Sequence, residues 1–317
     1  MKLKRFKSLF LMIVFLTFSI KCFSKEQIEI DKRLERQCKY RVGGWCLAPY
    51  NDDFYPAQIL SLHNNSALVR ILDSDLQIDD WPIMSFDTKN ITPPSYKKCK
   101  SLDDLVFHLK TAKTLRTKSI ESAFRKIDRR WFCNENFYFD AAIDIGCSMC
   151  ISAPHMHIWA LELCKDLFPD AKNILDVGTG TGYMAAIFAQ LCPKAKVTAI
   201  DCFDLLTINA ERTCSLHLKK SLNQRIHFVT GNGEQGYSKN APYDLIHVGF
   251  MCKEIPQFLI NQLKPGGRLI IPVGSTVSTY DNRLLKGNLF VVNKKMDGSV
   301  KKNEVFSCSF VSSQIKD

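Results

Sequence analysis

The sequence predicts an α/β protein built on a doubly wound, mainly parallel sheet, preceded by a small all-β barrel. Between residues 174 and 201 an apolar strand, a glycine-rich turn, a helix and a second strand follow one another. From residue 226 to residue 274 further short apolar strands alternate with polar segments. Between residues 41 and 86, in contrast, turn residues separate short apolar stretches, which is typical of a strongly bent antiparallel sheet.

The bulk composition limits the class of protein. A chain of 317 residues is long enough for about two domains, and 46% hydrophobic with 24% charged residues is close to the average of soluble globular proteins. These values exclude the disordered and fibrous classes. The formal net charge is +11, and removing the five basic residues of the first 24 leaves +6. We find no dense Lys/Arg run interleaved with aromatic residues, as a nucleic-acid-binding face would require.

The first 24 residues have the order of a secretory signal peptide. Basic residues from Lys2 to Lys7 precede the apolar run Leu9–Ile20, and small residues at Cys22 and Ser24 predict cleavage after Ser24. This run of twelve residues is shorter than the roughly 20 that a helix needs to span a bilayer. An uncleaved signal anchor is the alternative interpretation.

Other features of the chain bear on its compartment. Two glycosylation sequons begin at Asn64 and Asn90, and they would be used only in the secretory route. The 13 cysteines are an odd number and fall mostly in apolar patterns, which favours buried thiols over a disulfide framework. The signal segment therefore predicts the endoplasmic reticulum or secretion, whereas the cysteines fit an oxidising compartment poorly.

The predicted barrel, residues 38–92, contains a recognisable motif. The strings Gly44–Ala48 and Asp53–Ile59 resemble a Tudor domain of the survival-motor-neuron type. That resemblance implies a site for methylated arginine, held in an aromatic cage by cation–π attraction, to which Tyr50 and Tyr55 would contribute. The alternative is a docking module for a protein or an RNA–protein partner.

A second domain is predicted from residue 100 to residue 317. A Pro-containing segment at residues 92–95, followed by lysines, marks the boundary. Ser101 is a helix cap with acids in the first turn after it, and apolar residues at helical spacing follow. A second amphipathic helix is predicted around Ile120 to Ile127.

The glycine-rich turn predicts a cofactor site. The strand Ile174–Val177 leads into Gly178, Gly180 and Gly182, after which come the helix Tyr183–Leu191, the strand Lys196–Ile200 and the acid Asp201. In such βαβ units the glycines let a ligand approach the backbone, and the acid after the second strand can bind ribose hydroxyl groups.

The spacing of the glycines separates two classes of cofactor. Dinucleotide enzymes carry GxGxxG and place a pyrophosphate at the helix N-terminus. Here the spacing is GxGxG with Asp176 before it, which resembles motif I of the S-adenosylmethionine methyltransferases. An acid near the loop suits a ligand that carries a sulfonium cation and no phosphate.

The string Ile151–His157 indicates which methyltransferase family the chain resembles. Together with His247–Gly249 and Leu263–Gly274 it is similar to the protein-L-isoaspartate O-methyltransferases, over about residues 101–310. The resemblance implies methyl transfer from S-adenosyl-L-methionine to the α-carboxylate of isoaspartyl residues in damaged proteins. A carboxylate with a pKa of about 3.9 is already ionised, so the reaction needs no general base and no metal.

The resemblance also implies roles for individual residues. Ser152 would orient the substrate carboxylate, and its alternative role, like that of His157, is to cap the following helix. Asp176 would lie near the sulfonium, or would only satisfy the loop amides. The predicted cofactor-binding residues are Met149, Cys150, Ile151, Ser152, His157, Asp176, Gly178, Gly180, Gly182, Asp201, Cys202, Asn232 and Gly233.

Some residues depart from the family pattern. Cys150 and Asn232 stand where the family has threonine and an acid, and Phe250, Met251 and Cys252 stand where it has small alanines. Bulkier side chains at the last three positions predict a narrower peptide pocket. The alternative function is therefore a weak or inactive cofactor-binding fold that acts as a Tudor-linked adaptor. We expect a monomer without a metal site.

Overall fold

The computed structural model describes residues 45–50, 53–63, 66–72, 76, 78–87, 98–277 and 284–313. All of these residues belong to one unit of the fold, which begins at Gly43. The predicted signal segment, the predicted boundary at residues 92–95 and the sequons at Asn64 and Asn90 lie outside the described residues.

Four antiparallel strands make up the smaller sheet. They are β1 (Trp45–Tyr50), β2 (Asp53–His63), β3 (Ser66–Ile71) and β4 (Ile83–Asp87), paired in that order. In β3 Ala67 and Val69 are buried while Leu68 is exposed, as expected of a sheet with one covered face. The predicted short antiparallel strands are confirmed. Among the described residues β1 and β4 are not paired, so closure into a barrel stays a prediction.

The smaller sheet packs on the larger domain. Trp81, which is 4% exposed, lies edge-on to Trp159 with ring centroids 6.4 Å apart, and Trp159 meets Phe306 at 5.7 Å. Gln58 Nε2 donates a 3.0 Å hydrogen bond to Ser307 Oγ. Such aromatic pairs add about 0.5–1.5 kcal/mol each beyond the area they bury. The sheet therefore shares a core with the larger domain.

Two helices follow the smaller sheet and precede the larger, seven-stranded sheet. In α1 (Leu102–Thr111) the hydroxyl of Ser101 accepts a 3.1 Å hydrogen bond from the Asp104 backbone N–H, which confirms the predicted cap. The helix α2 (Lys118–Lys126) buries Ile120 and Phe124 along one side, as the apolar spacing predicts.

A short hairpin leads to the next helix. Its strands are β5 (Ile143–Gly146) and β6 (Met149–Ile151), and α3 (Pro154–Glu162) follows. The turn residues Cys147 and Ser148 have φ values of +54° and +59°. Two-residue turns of this kind usually contain asparagine and glycine. The turn therefore carries no sequence signal, and the sequence analysis did not predict the hairpin.

Glu162 joins α3 to the start of α2. Its carboxylate accepts hydrogen bonds from the backbone N–H groups of Arg116 (2.9 Å) and Thr117 (2.8 Å) and from the Thr117 hydroxyl (2.7 Å). A carboxylate at a helix N-terminus also interacts favourably with the helix dipole. This contact fixes the angle between the two helices.

The larger sheet has seven strands in the order β13-β12-β11-β10-β7-β8-β9. The remaining elements, in chain order, are β7 (Asn173–Val177), α4 (Tyr183–Leu191), β8 (Lys196–Asp201), α5 (Asp204–His217), α6 (Lys220–Asn223), β9 (Ile226–Thr230), β10 (Tyr243–Val248), α7 (Gln257–Gln262), β11 (Leu263–Val277), β12 (Leu284–Lys294) and β13 (Val300–Val311). The five strands β7 to β11 are parallel to their neighbours within that group, and β12 and β13 are antiparallel.

The mainly parallel, doubly wound sheet is thus confirmed, and β12 is a strand of this sheet that the sequence did not predict. The order in which strands are added to the sheet reverses between β7 and β10, which are paired neighbours although β8 and β9 come between them in the sequence. All six residues of β10 are buried, because helices and loops cover both faces. Among the described residues no helix has both the length and the apolar composition needed to cross a membrane.

Candidate active site

Two adjoining compartments open where β7, β8 and β10 end. Ligands of doubly wound folds bind at such a switch point, outside the carboxyl ends of the strands. Their empty volumes, which include space open to solvent, are about 500 Å³ for the larger compartment and about 360 Å³ for the smaller one, and both compartments touch Gly178, Gly180 and Gly249.

The glycine loop forms the wall between the compartments. Gly178, Gly180 and Gly182 have φ values of +70°, +55° and +83°, a region in which residues with a side chain are strained. A Cβ atom on Gly178 would lie 2.6 Å from the ring of Phe250. The absence of a side chain on Gly178 therefore leaves room for the Phe250 ring, and the backbone of Gly178 and Gly180 lines both compartments. Gly182 faces Ala210 instead, away from both compartments.

Asp201 holds this loop from the end of β8. One oxygen of its carboxylate accepts a 2.9 Å hydrogen bond from the Gly180 N–H, and the other accepts one of 3.2 Å from the Phe203 N–H. Burial raises the pKa of Asp201, although these backbone donors oppose the shift. Each carboxylate oxygen can accept a further hydrogen bond. Asp201 lines the larger compartment, so ribose hydroxyl groups could bind there.

Asp176 lies at the end of β7 and is 1% exposed. Its carboxylate accepts hydrogen bonds from the Thr179 hydroxyl (2.7 Å) and meets His247 Nδ1 at 2.8 Å. Asp176 therefore connects the glycine loop to β10: it contacts the loop through the Thr179 hydroxyl and β10 through His247. It also lines the smaller compartment, and its contact with the sulfonium stays a prediction.

Ser152 lines the smaller compartment, directly before α3. Behind it lies Arg129, which is fully buried and donates a 2.9 Å hydrogen bond to the Ser152 carbonyl oxygen. The guanidinium also lies 3.5 Å from His157 Nδ1 and 5.7 Å from the centre of the Tyr183 ring. Within the described part of the chain no carboxylate forms a salt bridge with Arg129. The site thus contains a buried positive charge that the sequence analysis missed.

The buried environment of Arg129 lowers the pKa of a neighbouring histidine and contains polar groups without a hydrogen-bond partner. Burial, followed by the positive charge of Arg129, holds the pKa of His157 well below its ordinary value, so this ring stays neutral near pH 7. The Arg129 Nε, the Tyr183 hydroxyl and the Thr181 hydroxyl are buried without a hydrogen-bond partner. Unpaired buried polar groups are costly, and at a binding site a ligand can satisfy them.

Asp140 fixes the start of α3. Its carboxylate meets His155 Nδ1 at 2.8 Å, accepts a hydrogen bond from the His155 backbone N–H at 2.9 Å and lies 3.4 Å from His108 Nε2. Burial alone would raise the pKa of Asp140, but the two histidines hold it well below its usual range.

Among the described residues no group of three or more His, Cys, Asp or Glu side chains could hold a metal ion.

Most of the predicted site residues lie together. Those in the larger compartment are Met149, Cys150, Gly178, Gly180, Asp201, Cys202 and Gly233. Those in the smaller one include Ile151, Ser152, His157 and Asp176. The structure places Gly182 and Asn232 outside both linings. The amide oxygen of Asn232 accepts a 2.9 Å hydrogen bond from the Glu234 N–H, and so caps the turn that positions Gly233.

The sequence predicts that Phe250, Met251 and Cys252 all narrow the peptide pocket. This prediction is wrong for Met251 and Cys252. Met251 and Cys252 are each 1% exposed and point into the protein, and only Phe250 lines the larger compartment. The reason is the backbone pairing of this segment: the Met251 N–H donates to the Val311 carbonyl oxygen (2.8 Å), and the Cys252 N–H donates to that of Pro272 (3.0 Å). These two bonds hold the segment against the sheet.

Comparison with known proteins assigns this fold and site to a family. Residues 100–316 match the model of the family described as protein-L-isoaspartate(D-aspartate) O-methyltransferase. The chain belongs to this family. It is 38% identical to the protein-L-isoaspartate O-methyltransferase of Triticum aestivum over 225 residues, which cover 67% of this chain and 93% of that protein. It is 34% identical to the protein-L-isoaspartate O-methyltransferase 1 of Arabidopsis thaliana over 227 residues, 69% of this chain and 93% of that protein.

Solved structures support the same fold. The chain superposes with a TM-score of 0.60 on a Plasmodium falciparum protein-L-isoaspartate O-methyltransferase in complex with S-adenosyl-L-homocysteine, at 23% identity, covering 68% of this chain and 99% of that one. A second protein-L-isoaspartate O-methyltransferase gives a TM-score of 0.56 at 25% identity, covering 67% and 65% of the two chains. The family match begins at residue 100, so β1 to β4 lie outside it.

Proposed function

We propose that this chain methylates the α-carboxylate of L-isoaspartyl residues in damaged proteins, with S-adenosyl-L-methionine as the donor. Family membership supports the reaction, and one observation in the structure supports it most directly. Ser152 lines a compartment beside the glycine loop, and the buried guanidinium of Arg129 lies behind it. A positive charge in a buried setting favours an anion in front of it.

The larger compartment fits the donor. Gly178 and Gly180, both with positive φ, expose backbone to it, Asp201 offers carboxylate oxygens to ribose, and no phosphate-binding feature is needed. When bound, S-adenosyl-L-methionine supplies a methyl group already activated on its sulfonium. We propose that Met149, Cys150 and Cys202 line the donor, and that Gly233 borders its adenine, with Asn232 holding the turn.

The chain's own residues then have a limited task. The substrate carboxylate is ionised near neutral pH, so no side chain has to remove a proton. Ser152 would donate a hydrogen bond to that carboxylate and hold one oxygen in line with the methyl group. His157, kept neutral by burial, would complete the wall of the compartment. Catalysis then rests on alignment and on exclusion of water.

A methylation assay tests this function. The protein, labelled S-adenosyl-L-methionine and an isoaspartyl peptide should give a methyl ester, and the matching aspartyl peptide should give none. Ser152→Ala should lower kcat/KM about 10- to 100-fold, the effect of one hydrogen bond to a charged group. Ser215→Ala, an exposed serine in α5, serves as the control and should retain full activity.

The opposite result would favour the adaptor. If the protein binds the donor but forms no more ester than the Ser152→Ala variant on several isoaspartyl peptides, it is an inactive cofactor-binding fold.

We propose the secretory pathway as the compartment of this protein on the basis of residues 1–24, with the cytoplasm as the alternative. We also propose that the protein works as a monomer.

We also propose that the N-terminal region, residues 38–92, is a Tudor-like docking module. Its four strands lie outside the family match and share a core with the catalytic domain, which supports a dedicated accessory role. Fluorescence anisotropy with dimethylarginine peptides is expected to show binding that unmodified peptides lack and that Tyr55→Ala weakens. Equal binding of both peptides would exclude a methylarginine cage and would leave a general docking role.

A further inference from the structure

Phe250 lines the larger compartment. It lies two residues after the end of β10, and the Gly249 N–H before it donates a 2.8 Å hydrogen bond to the Val177 carbonyl oxygen at the end of β7. Ring atoms of Phe250 lie 2.6 Å and 3.2 Å from the position that a Cβ on Gly178 would take, and 3.5 Å from that of Gly233. The ring therefore lies against both glycines and forms part of the lining of the larger compartment.

The charges around this ring are of one sign. The described residues that line the larger compartment include the carboxylate of Asp201 and no lysine, arginine or histidine. The buried positive charge of Arg129 lies behind Ser152, which lines the smaller compartment. The larger compartment thus offers an aromatic face and one negative charge, which suits a ligand that carries a positive charge.

We infer that Phe250 is a specificity-determining residue whose ring faces the sulfonium of the donor. This inference rests on the proposed function, because it assigns the larger compartment to S-adenosyl-L-methionine. The ring attracts the sulfonium through its negative face, as aromatic residues attract quaternary ammonium ligands.

The consequence is selection of donor over product. Methyl transfer moves the methyl group from sulfur to a carboxylate oxygen, and the electron pair of the broken bond stays on sulfur. The donor sulfonium becomes a neutral thioether, so the attraction to the ring disappears while every other contact of the nucleoside stays available. Phe250 therefore favours the charged donor and weakens retention of S-adenosyl-L-homocysteine.

Calorimetric titration of both ligands tests the inference. In the intact chain Phe250→Leu keeps an apolar side chain but removes the aromatic face. We expect the affinity for S-adenosyl-L-methionine to fall about 3- to 30-fold, while that for S-adenosyl-L-homocysteine changes less than about twofold. Phe250→Tyr keeps an aromatic ring and should restore the ratio of the two affinities, which covers the case in which the leucine variant folds poorly.

Phe203 supplies the matched control. It also lines the larger compartment, so Phe203→Leu should reduce both affinities by the same factor. Equal losses of both ligands in Phe250→Leu would overturn the inference and leave the proposed function standing. Absence of binding of either ligand to the unmodified protein would overturn both.

Discussion

Replacing Asp201 with asparagine is expected to lower the affinity for S-adenosyl-L-methionine about 10- to 100-fold without unfolding the protein. The two oxygens of Asp201 each accept a backbone N–H, from Gly180 and from Phe203. An asparagine side chain has one oxygen, so its NH₂ group would face one of these donors. Asparagine has the same shape as aspartate, so the loss of affinity measures the contribution of the carboxylate.

Calorimetry and thermal unfolding together check this result. The control is Asp204→Asn, which changes an exposed acid three residues away and should alter neither measurement. An unchanged affinity in Asp201→Asn, with the native melting curve, would show that Asp201 does not contact the ligand or support its loop.

The same carboxyl predicts a pH dependence of binding. Burial raises the pKa of Asp201, so the group takes up a proton at a pH above its ordinary value of about 3.9. Protonation removes hydrogen-bond acceptor capacity from the carboxyl group. The affinity for S-adenosyl-L-methionine should therefore be fully present at pH values above the raised pKa of Asp201 and should fall as the pH decreases through that pKa. In Asp201→Asn this acid-side decrease should be absent.

Replacing Gly287 with alanine is expected to lower the free energy of unfolding by about 3 kcal/mol. A Cβ at this position in β12 would lie 2.1 Å from the Val273 carbonyl oxygen and 2.7 Å from the Gly274 Cα atom. Both are backbone atoms of β11, so no side chain can rotate away. The two strands would have to separate at the irregularity between Val273 and Thr276.

Denaturant and thermal unfolding measure this effect, which corresponds to a fall in Tm of roughly 4–6 °C for a chain of this size. Gly298→Ala is the control, because its Cβ would meet nothing within 4 Å although its φ is +85°. That variant should lose only the about 1–2 kcal/mol of the left-handed conformation. Similar losses in both variants would show that the close approach of β11 and β12 contributes nothing.

The sequence alone determined the elements whose signals are local. A glycine loop between a strand and a helix, with an acid at the end of the next strand, is encoded within residues 174–201, and the structure matches the predicted bounds there to within one residue. The cap at Ser101 is also local, because its partner Asp104 is three residues away. Short-range steric and hydrogen-bonding preferences decide such elements, so spacing reveals them.

Only the tertiary structure decided which distant side chains meet. Arg129 reaches the Ser152 carbonyl oxygen 23 residues away, and Asp176 meets His247 across 71 residues. The burial of Met251 and Cys252, with Phe250 in the cleft, follows from pairing with distant strands. These outcomes depend on the path of the backbone through the whole fold. No periodicity or spacing in the chain records them, because the partners share no local pattern.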